Sequence, residues 1–238
     1  MNNNASLVDR VIIVTGGTGR LGQAVTKKLL GLGAQVVATY TNPTELEKLQ
    51  KQLSAEEMQK FVSEKVDVTN EKEVATFITG VINKFQRIDG LANLVGGWQS
   101  KPITELSLED WQKQLNLNLT SAFLMNKAVL PHMISAKYGR ILGVGVQSAI
   151  QAKKEQANYN VSKVGVMWLM ETISHEVRQH GITANSILPS AIKTVAEHDA
   201  DPDGLWVQPE EVAELVAYLM SPASSATSGA KIPVYGKV

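Results

Sequence analysis

Val11-Ile-Ile-Val-Thr-Gly-Gly-Thr-Gly-Arg-Leu-Gly22 is the stretch that decides the fold of this chain. Its β-branched run, Val11 to Val14, reads as a buried strand, and Thr15-Gly-Gly-Thr-Gly19 reads as a glycine turn. Leu21, Val25, Leu29 and Leu32 then recur at helical spacing until Gly33 stops the helix. Gly16, Gly19 and Gly22 are spaced G-x-x-G-x-x-G between the two elements. Glycines there permit a positive φ and let backbone approach a pyrophosphate closely. The helix N-terminus adds N–H donors and a partial positive charge. Alone the motif is weak; between a strand and a helix it points to a dinucleotide turn.

The same alternation continues outward. Strands are predicted at Gln35 to Thr39, Phe61 to Val66, Leu91 to Val95, Arg140 to Val146, Ile182 to Leu188 and Lys231 to Tyr235. Helices are predicted at Pro43 to Leu53, at Asn70 to Phe85, and from Ser107 to about Asn118, continuing with a bend to His132. Two more follow at Tyr159 to His180 and Pro209 to Met220. Strands that are apolar throughout, alternating with helices, imply an α/β fold: a doubly wound parallel sheet with helices on both faces. No linker or repeat divides the chain, so residues 1–238 read as one domain.

Composition narrows the function. The 238 residues carry 23 Lys+Arg against 23 Asp+Glu, a formal net charge of zero. That balance argues against a nucleic-acid partner, which needs excess cations to displace counterions from phosphates. With no cysteine there is no disulfide scaffold and no thiol nucleophile. His132, His175, His180 and His198 show no mutual ligand spacing, so no metal site is expected. The N-terminal segment lacks a signal-peptide pattern, and no apolar run is long enough to span a bilayer. A soluble, cytoplasmic protein is expected.

Further motifs fall in a recognisable order: Thr15 to Gly22, Asp67-Val68, Asn93-Leu-Val-Gly96, Asn118, Tyr159-Asn-Val-Ser-Lys163, Asn185 and Pro189. Together they resemble the short-chain dehydrogenase/reductase family over essentially the whole chain. The resemblance implies a Rossmann-like sheet of seven parallel strands in the order 3-2-1-4-5-6-7. It also implies a cofactor-binding set of Gly16, Thr18, Gly19, Arg20, Leu21, Gly22, Tyr40, Thr41, Asp67, Val68, Asn93, Val95, Gly96, Tyr159, Lys163, Pro189, Ile192 and Thr194. The Ile192 backbone and Thr194 hydroxyl would meet the nicotinamide carboxamide. Long helices near 107–132 and 159–180, with the last strand, form oligomer interfaces in relatives, which implies a homotetramer or, failing that, a dimer.

Tyr40 stands 18 residues past Gly22, where an NAD-selective fold presents an acidic residue to the ribose. Without that carboxylate nothing repels a 2′-phosphate; Thr41 and Asn42 can hydrogen-bond it, and Arg20 can reach it as a charged donor. Arg20 reads equally as a solvated residue of the first helical turn, and Asp67 as a loop or capping carboxylate. NADP(H) is favoured, with NAD(H) the alternative.

Tyr159 and Lys163, four apart, share one face of a helix. A neighbouring ammonium favours the phenolate and makes tyrosine a usable proton donor to a carbonyl. By the resemblance, Lys163 also binds ribose, and Asn118 helps hold a water that links Lys163 to solvent. The serine expected about 13 residues before the tyrosine is replaced by Val146. Ser148 lies two residues on, roughly 7 Å farther along an extended strand, and needs a bulge to take over; otherwise it is a loop hydroxyl.

Trp98 and Trp206 are candidate apolar walls of a substrate site or plain core. The short segment near 190–208, acidic at Glu197, Asp199, Asp201 and Asp203, is expected to act as a lid over a small substrate. The expected function is hydride transfer between a nicotinamide and a small carbonyl or alcohol. Two alternatives stand beside it. One is an enzyme like quinoid dihydropteridine reductases, which also lack the serine and which Gly96-Gly97-Trp98 and Leu188 to Thr194 resemble. The other is a non-catalytic dinucleotide-binding protein.

Overall fold

A computed structural model describes residues 6–192 and 206–236. In chain order the strands are β1 (Val11–Thr15), β2 (Gln35–Tyr40), β3 (Phe61–Lys65), β4 (Gly90–Asn93), β5 (Gly139–Val144), β6 (Ile182–Pro189), β7 (Ala191–Ile192), β8 (Trp206–Val207) and β9 (Lys231–Val234). The helices are α1 (Arg20–Gly31), α2 (Pro43–Gln50), α3 (Ala55–Gln59), α4 (Glu71–Phe85), α5 (Leu108–Leu115), α6 (Ser121–Ala136), α7 (Ala157–Val177) and α8 (Pro209–Met220). Seven strands form one sheet in the order β3-β2-β1-β4-β5-β6-β9, every pairing parallel, while β7 and β8 pair separately. The expected topology is borne out. Strand order reverses between β1 and β4, which opens a crevice at the carboxyl ends of those strands.

Both faces of the sheet are covered, as the apolar strands require. All five residues of β1 are buried: Ile12 and Val14 pack with Val25 and Leu29 of α1 and Val212 and Val216 of α8. Val11 and Ile13 face the opposite core, with Phe77 of α4, Met125 and Val129 of α6, and Met170 of α7. None of the described helices is long and apolar enough to cross a membrane.

Several boundaries differ from the sequence reading, each for a physical reason. The helix expected to Leu53 stops at Gln50, because Ser54 and Glu57 form a capping box that starts α3. The strand expected to Val146 ends at Val144, and a 3-10 turn occupies Gln147–Ala149. The bend predicted near Asn118 is a π-turn over Asn116–Thr120, between α5 and α6. Helix α7 begins at Ala157 and gives way to a 3-10 turn at Arg178–His180.

At the rim where the strands begin, charge replaces apolar packing. The Asp89 carboxylate accepts from Arg10 Nη1 at 2.9 Å, from Arg87 Nε at 2.8 Å and from the Val11 N–H at 2.9 Å. It thereby ties the start of β1 to the start of β4 and raises the Arg87 pKa. The Arg140 guanidinium, 3% exposed, donates to the carbonyls of Ser221, Gly139 and Gly181. Arg10 and Arg140 both lie over the Tyr138 ring, at 4.2 and 4.4 Å from its centroid. Asp89→Ala strands two guanidinium groups and a backbone N–H at once. It is expected to cost on the order of 3 kcal/mol, read as a lowered midpoint in urea unfolding with an unchanged slope.

Candidate active site

The glycine turn after β1 is shaped by contact. Gly16 adopts φ +62°, and its N–H donates to Thr39 Oγ1 at 3.0 Å. A Cβ on Gly22 would lie 2.1 Å from the Gly16 carbonyl oxygen, so no other residue fits there. Gly17 is nearly as constrained, since its Cβ would meet the Ala38 methyl at 2.7 Å. Gly19 is the N-cap of α1 with φ −70°, in a position any residue could adopt, and no side chain caps the helix. The first-turn N–H groups of Arg20, Leu21 and Gly22 are thus left for a ligand.

A cleft of about 400 Å³ opens over this turn. Its wall includes Gly16, Thr18, Gly19, Arg20, Leu21, Gly22, Tyr40, Thr41, Asp67, Val68, Val95 and Gly96 from the expected set. Such a cleft, with a cradle no Cβ can enter, fits a dinucleotide. Asn93 lies behind it, buried, its Nδ2 donating to the Leu142 carbonyl at 3.2 Å. Asp67 Oδ1 accepts from the N–H and hydroxyl of Thr69, an Asx turn beside the cleft. Asn42 Oδ1 caps α2 through Thr44 N–H, so that oxygen is already engaged. The wall also holds a carboxylate that the reading at position 40 does not consider, because α2 starts shortly after β2 and brings Glu45 into it.

A second cleft, of about 550 Å³, shares Leu21, Leu94 and Gly96 with the first. Tyr159 and Lys163 line it from α7. Lys163 is 6% exposed, its Nζ donating to the Val144 carbonyl at 2.9 Å. The Tyr159 hydroxyl has no hydrogen-bond partner among the described residues. Burial dominates both titrations: it pushes the phenol up to about 12 and the ammonium down to about 8. This corrects the expectation of a phenol acidified by the ammonium: burial outweighs the neighbouring charge, so the phenol holds its proton at neutral pH as a weaker acid than free tyrosine.

Asn118 sits in the π-turn, 2% exposed. Its Oδ1 accepts from Gly97 N–H at 2.8 Å, and its Nδ2 donates to the Gly97 carbonyl and to Ser162 Oγ. Ser162 in turn donates to the Tyr159 carbonyl at 2.7 Å. The amide is thus committed to locking the Gly96-Gly97 corner against α7. A Cβ on Gly96 would lie 2.8 Å from Asn118 Oδ1 and 3.1 Å from Lys163 Nζ, so these groups close around one point.

Val146 and Ser148 both line the second cleft. The 3-10 turn draws Ser148 inward, and its hydroxyl donates to Asn160 Oδ1 at 2.8 Å. Trp98 is 65% exposed and lines the same cleft with Trp206, so Trp98 is wall rather than core. Pro189 and Ile192 complete that side; Thr194 and the acidic residues of the segment expected to form a lid lie outside the described residues. Among the described residues no group of three metal-ligating side chains comes together.

Sequence reasoning missed Gly17, Thr15, Thr39, Glu45 and Ser162. Thr15 Oγ1 accepts from the N–H groups of Leu94 and Val95, fixing β4 to the turn. Thr15, Gly17 and Ser162 carried a signal, each lying inside a motif already singled out; Thr39 and Glu45 carried none. Gly22→Ala is expected to abolish dinucleotide binding while the chain stays folded in part, measured by fluorescence titration alongside thermal unfolding.

The family model described as short chain dehydrogenase matches residues 10–204. The 3-oxoacyl-[acyl-carrier-protein] reductase of Synechocystis sp. is 30% identical, over 97% of each chain. Among solved structures, a short-chain type dehydrogenase/reductase from Mycobacterium ulcerans superposes with TM-score 0.89 at 28% identity, over 96% of this chain and 89% of that one. Levodione reductase superposes with TM-score 0.87 at 25% identity, over 97% of each. With the glycine cradle, the Tyr159–Lys163 pair and these likenesses in agreement, the chain belongs to the short-chain dehydrogenase/reductase family, an NAD(P)-binding group of oxidoreductases.

Proposed function

We propose that this oxidoreductase is an NADP(H)-dependent carbonyl reductase acting on small carbonyl compounds. One observation carries the reading: Tyr159 and Lys163 line a cleft that runs directly into the dinucleotide cradle. The bound nicotinamide supplies the hydride. Tyr159 gives its phenolic proton to the carbonyl oxygen, and the Lys163 ammonium offsets the charge left on the phenol. The Gly96 corner, held by Asn118, and Pro189 and Ile192 flank the nicotinamide end. Ser148, with its proton committed to Asn160, acts as a wall of the site and a support for α7 rather than as the missing polarising donor.

Arg20 supports the choice of NADP(H): it starts α1 at the edge of the first cleft and pairs with no carboxylate among the described residues. The Synechocystis relative, a 3-oxoacyl-[acyl-carrier-protein] reductase by name, supports the carbonyl-reducing direction. Glu45 in the same wall favours the second reading, NAD(H), because it opposes a 2′-phosphate. Exposed Phe123 on α6 and Val161 and Trp168 on α7 support assembly of copies through these helices, as a homotetramer.

Tyr159→Phe is expected to lower kcat by about a hundred-fold or more while leaving NADPH affinity intact; preserved turnover would remove the proton-donor role. Lys163 is charged below its pKa of about 8, and Tyr159 stays protonated well beyond it. The rate of reduction should therefore be level at lower pH and fall as pH rises through about 8. A profile flat to alkaline pH contradicts an ammonium in that role. Arg20→Ala should weaken NADPH by about ten-fold with NADH unchanged, and Glu45→Gln should tighten NADPH. If fluorescence titration shows NADH binding the unaltered protein more tightly, NAD(H) is the cofactor.

A further inference from the structure

We propose that the substrate is a flat carbonyl compound bearing a carboxylate, and that Lys153 binds that carboxylate; this rests on the reductase reading above. Among the described residues that line the second cleft there is no Asp or Glu, but there are two lysines. Lys163 is buried and bonded to Val144. Lys153 is exposed, and no hydrogen bond or ion pair among the described residues occupies it. Its neighbours Lys154 and Glu155 face each other at 3.9 Å, and Glu155 also meets Ser100. Lys153 is thus the exposed charge among the described lining residues, and such a cation attracts an anionic group to its own end of the cleft.

The loop that carries this cation is tethered, while its side chain is left unpaired among the described residues. The Glu155 carbonyl accepts from Lys101 N–H at 2.7 Å, tying the Lys153 loop to the segment that carries Trp98. That segment is fixed further on: Lys101 Nζ and Gln99 Nε2 each donate to Asp110, at 2.8 and 3.1 Å. Asn158 Nδ2 donates to Gln99 Oε1 at 2.6 Å, which brings α7 into the same network. The network holds the Asp110 carboxyl well below the usual carboxylate range. The same cleft thus presents two indoles, Trp98 and Trp206, which suit a planar apolar body, and an ammonium on a tethered loop.

Val146 narrows the chemistry further. It offers no donor, and the Ser148 proton is already given to Asn160. With neither of these two positions supplying a second donor, the site suits a carbonyl that is electrophilic by its own constitution, as an aryl aldehyde or a 2-oxo acid is. In the step, the C=O π bond opens, its carbon gains the hydride supplied by the reduced dinucleotide, and its oxygen gains the Tyr159 proton. The products are a hydroxy acid and the oxidised dinucleotide, with the carboxylate unchanged.

The test compares 4-carboxybenzaldehyde and benzoylformate with their methyl esters, using NADPH and NADH. The unaltered protein should prefer each acid by about ten-fold in kcat/KM, mainly through KM. Lys153→Met should erase that preference and leave the esters unchanged; Lys153→Glu should reverse it. Equal loss of acid and ester in Lys153→Met, or a preference that survives it, overturns the proposal. Turnover of esters alone overturns it too, but leaves the reductase reading standing. Turnover of no carbonyl by the unaltered protein overturns the reductase reading. The site is then decided by tryptophan quenching: benzoate favoured over benzamide, and only while Lys153 is present, supports it, and equal quenching by the two overturns it.

Discussion

The Gly22 backbone lies against the Gly16 carbonyl so closely that even one methyl group is excluded. Everything functional depends on that approach. It sets α1 directly beyond the end of β1, so the uncapped helix N-terminus faces the crevice where strand order reverses. Thr39 holds the turn from β2, and Thr15, at the end of β1, ties it to the segment after β4 by accepting from Leu94 N–H. Three adjacent strands therefore cooperate to aim a few N–H groups at one place, with almost no side-chain freedom to lose when a ligand arrives.

The proton-handling half of the site is built on a different principle. Here burial, rather than backbone crowding, sets the chemistry. Lys163 is enclosed by the Val144 carbonyl, the Gly96 corner and Asn118. Enclosure destabilises its charge and, on the neighbouring side chain, destabilises phenolate. Both effects keep the proton on the phenol, at the cost of its acidity, so transfer has to be driven by the negative charge that develops on the carbonyl oxygen. The π-turn is the device that brings Asn118 inward; a regular helix between α5 and α6 would carry that amide around the axis.

The fold was legible because its strands are apolar on both faces and its helices are punctuated by glycine, proline and capping residues. Tyr159 and Lys163 were legible because helical periodicity fixes their common face. Glu45 was not: its place in the cleft depends on how sharply α2 turns back after β2, a tertiary fact. Ser148 was readable only as a choice between strand bulge and loop, and a 3-10 turn settled its burial. The bend at Asn118 was legible, yet the bonding partners of its amide on Gly97 and Ser162 come from elements far away in sequence. The Ser54 to Glu57 box was visible in the chain, but the smooth apolar rhythm before it masked the break.

The opposite rim of the sheet invites a different kind of conclusion. Asp89, Arg10, Arg87 and Arg140 bind the strand starts together, and Arg140 reaches the end of α8 as well. With the fold anchored there, the residues at the far ends of the strands are relieved of holding the sheet in register. They are free to diverge. Val146 and Lys153 both lie at that end, on the second cleft and away from the arginines that hold the strand starts. The arginine belt thus divides the labour of the sheet: one rim carries the architecture and the other carries the clefts.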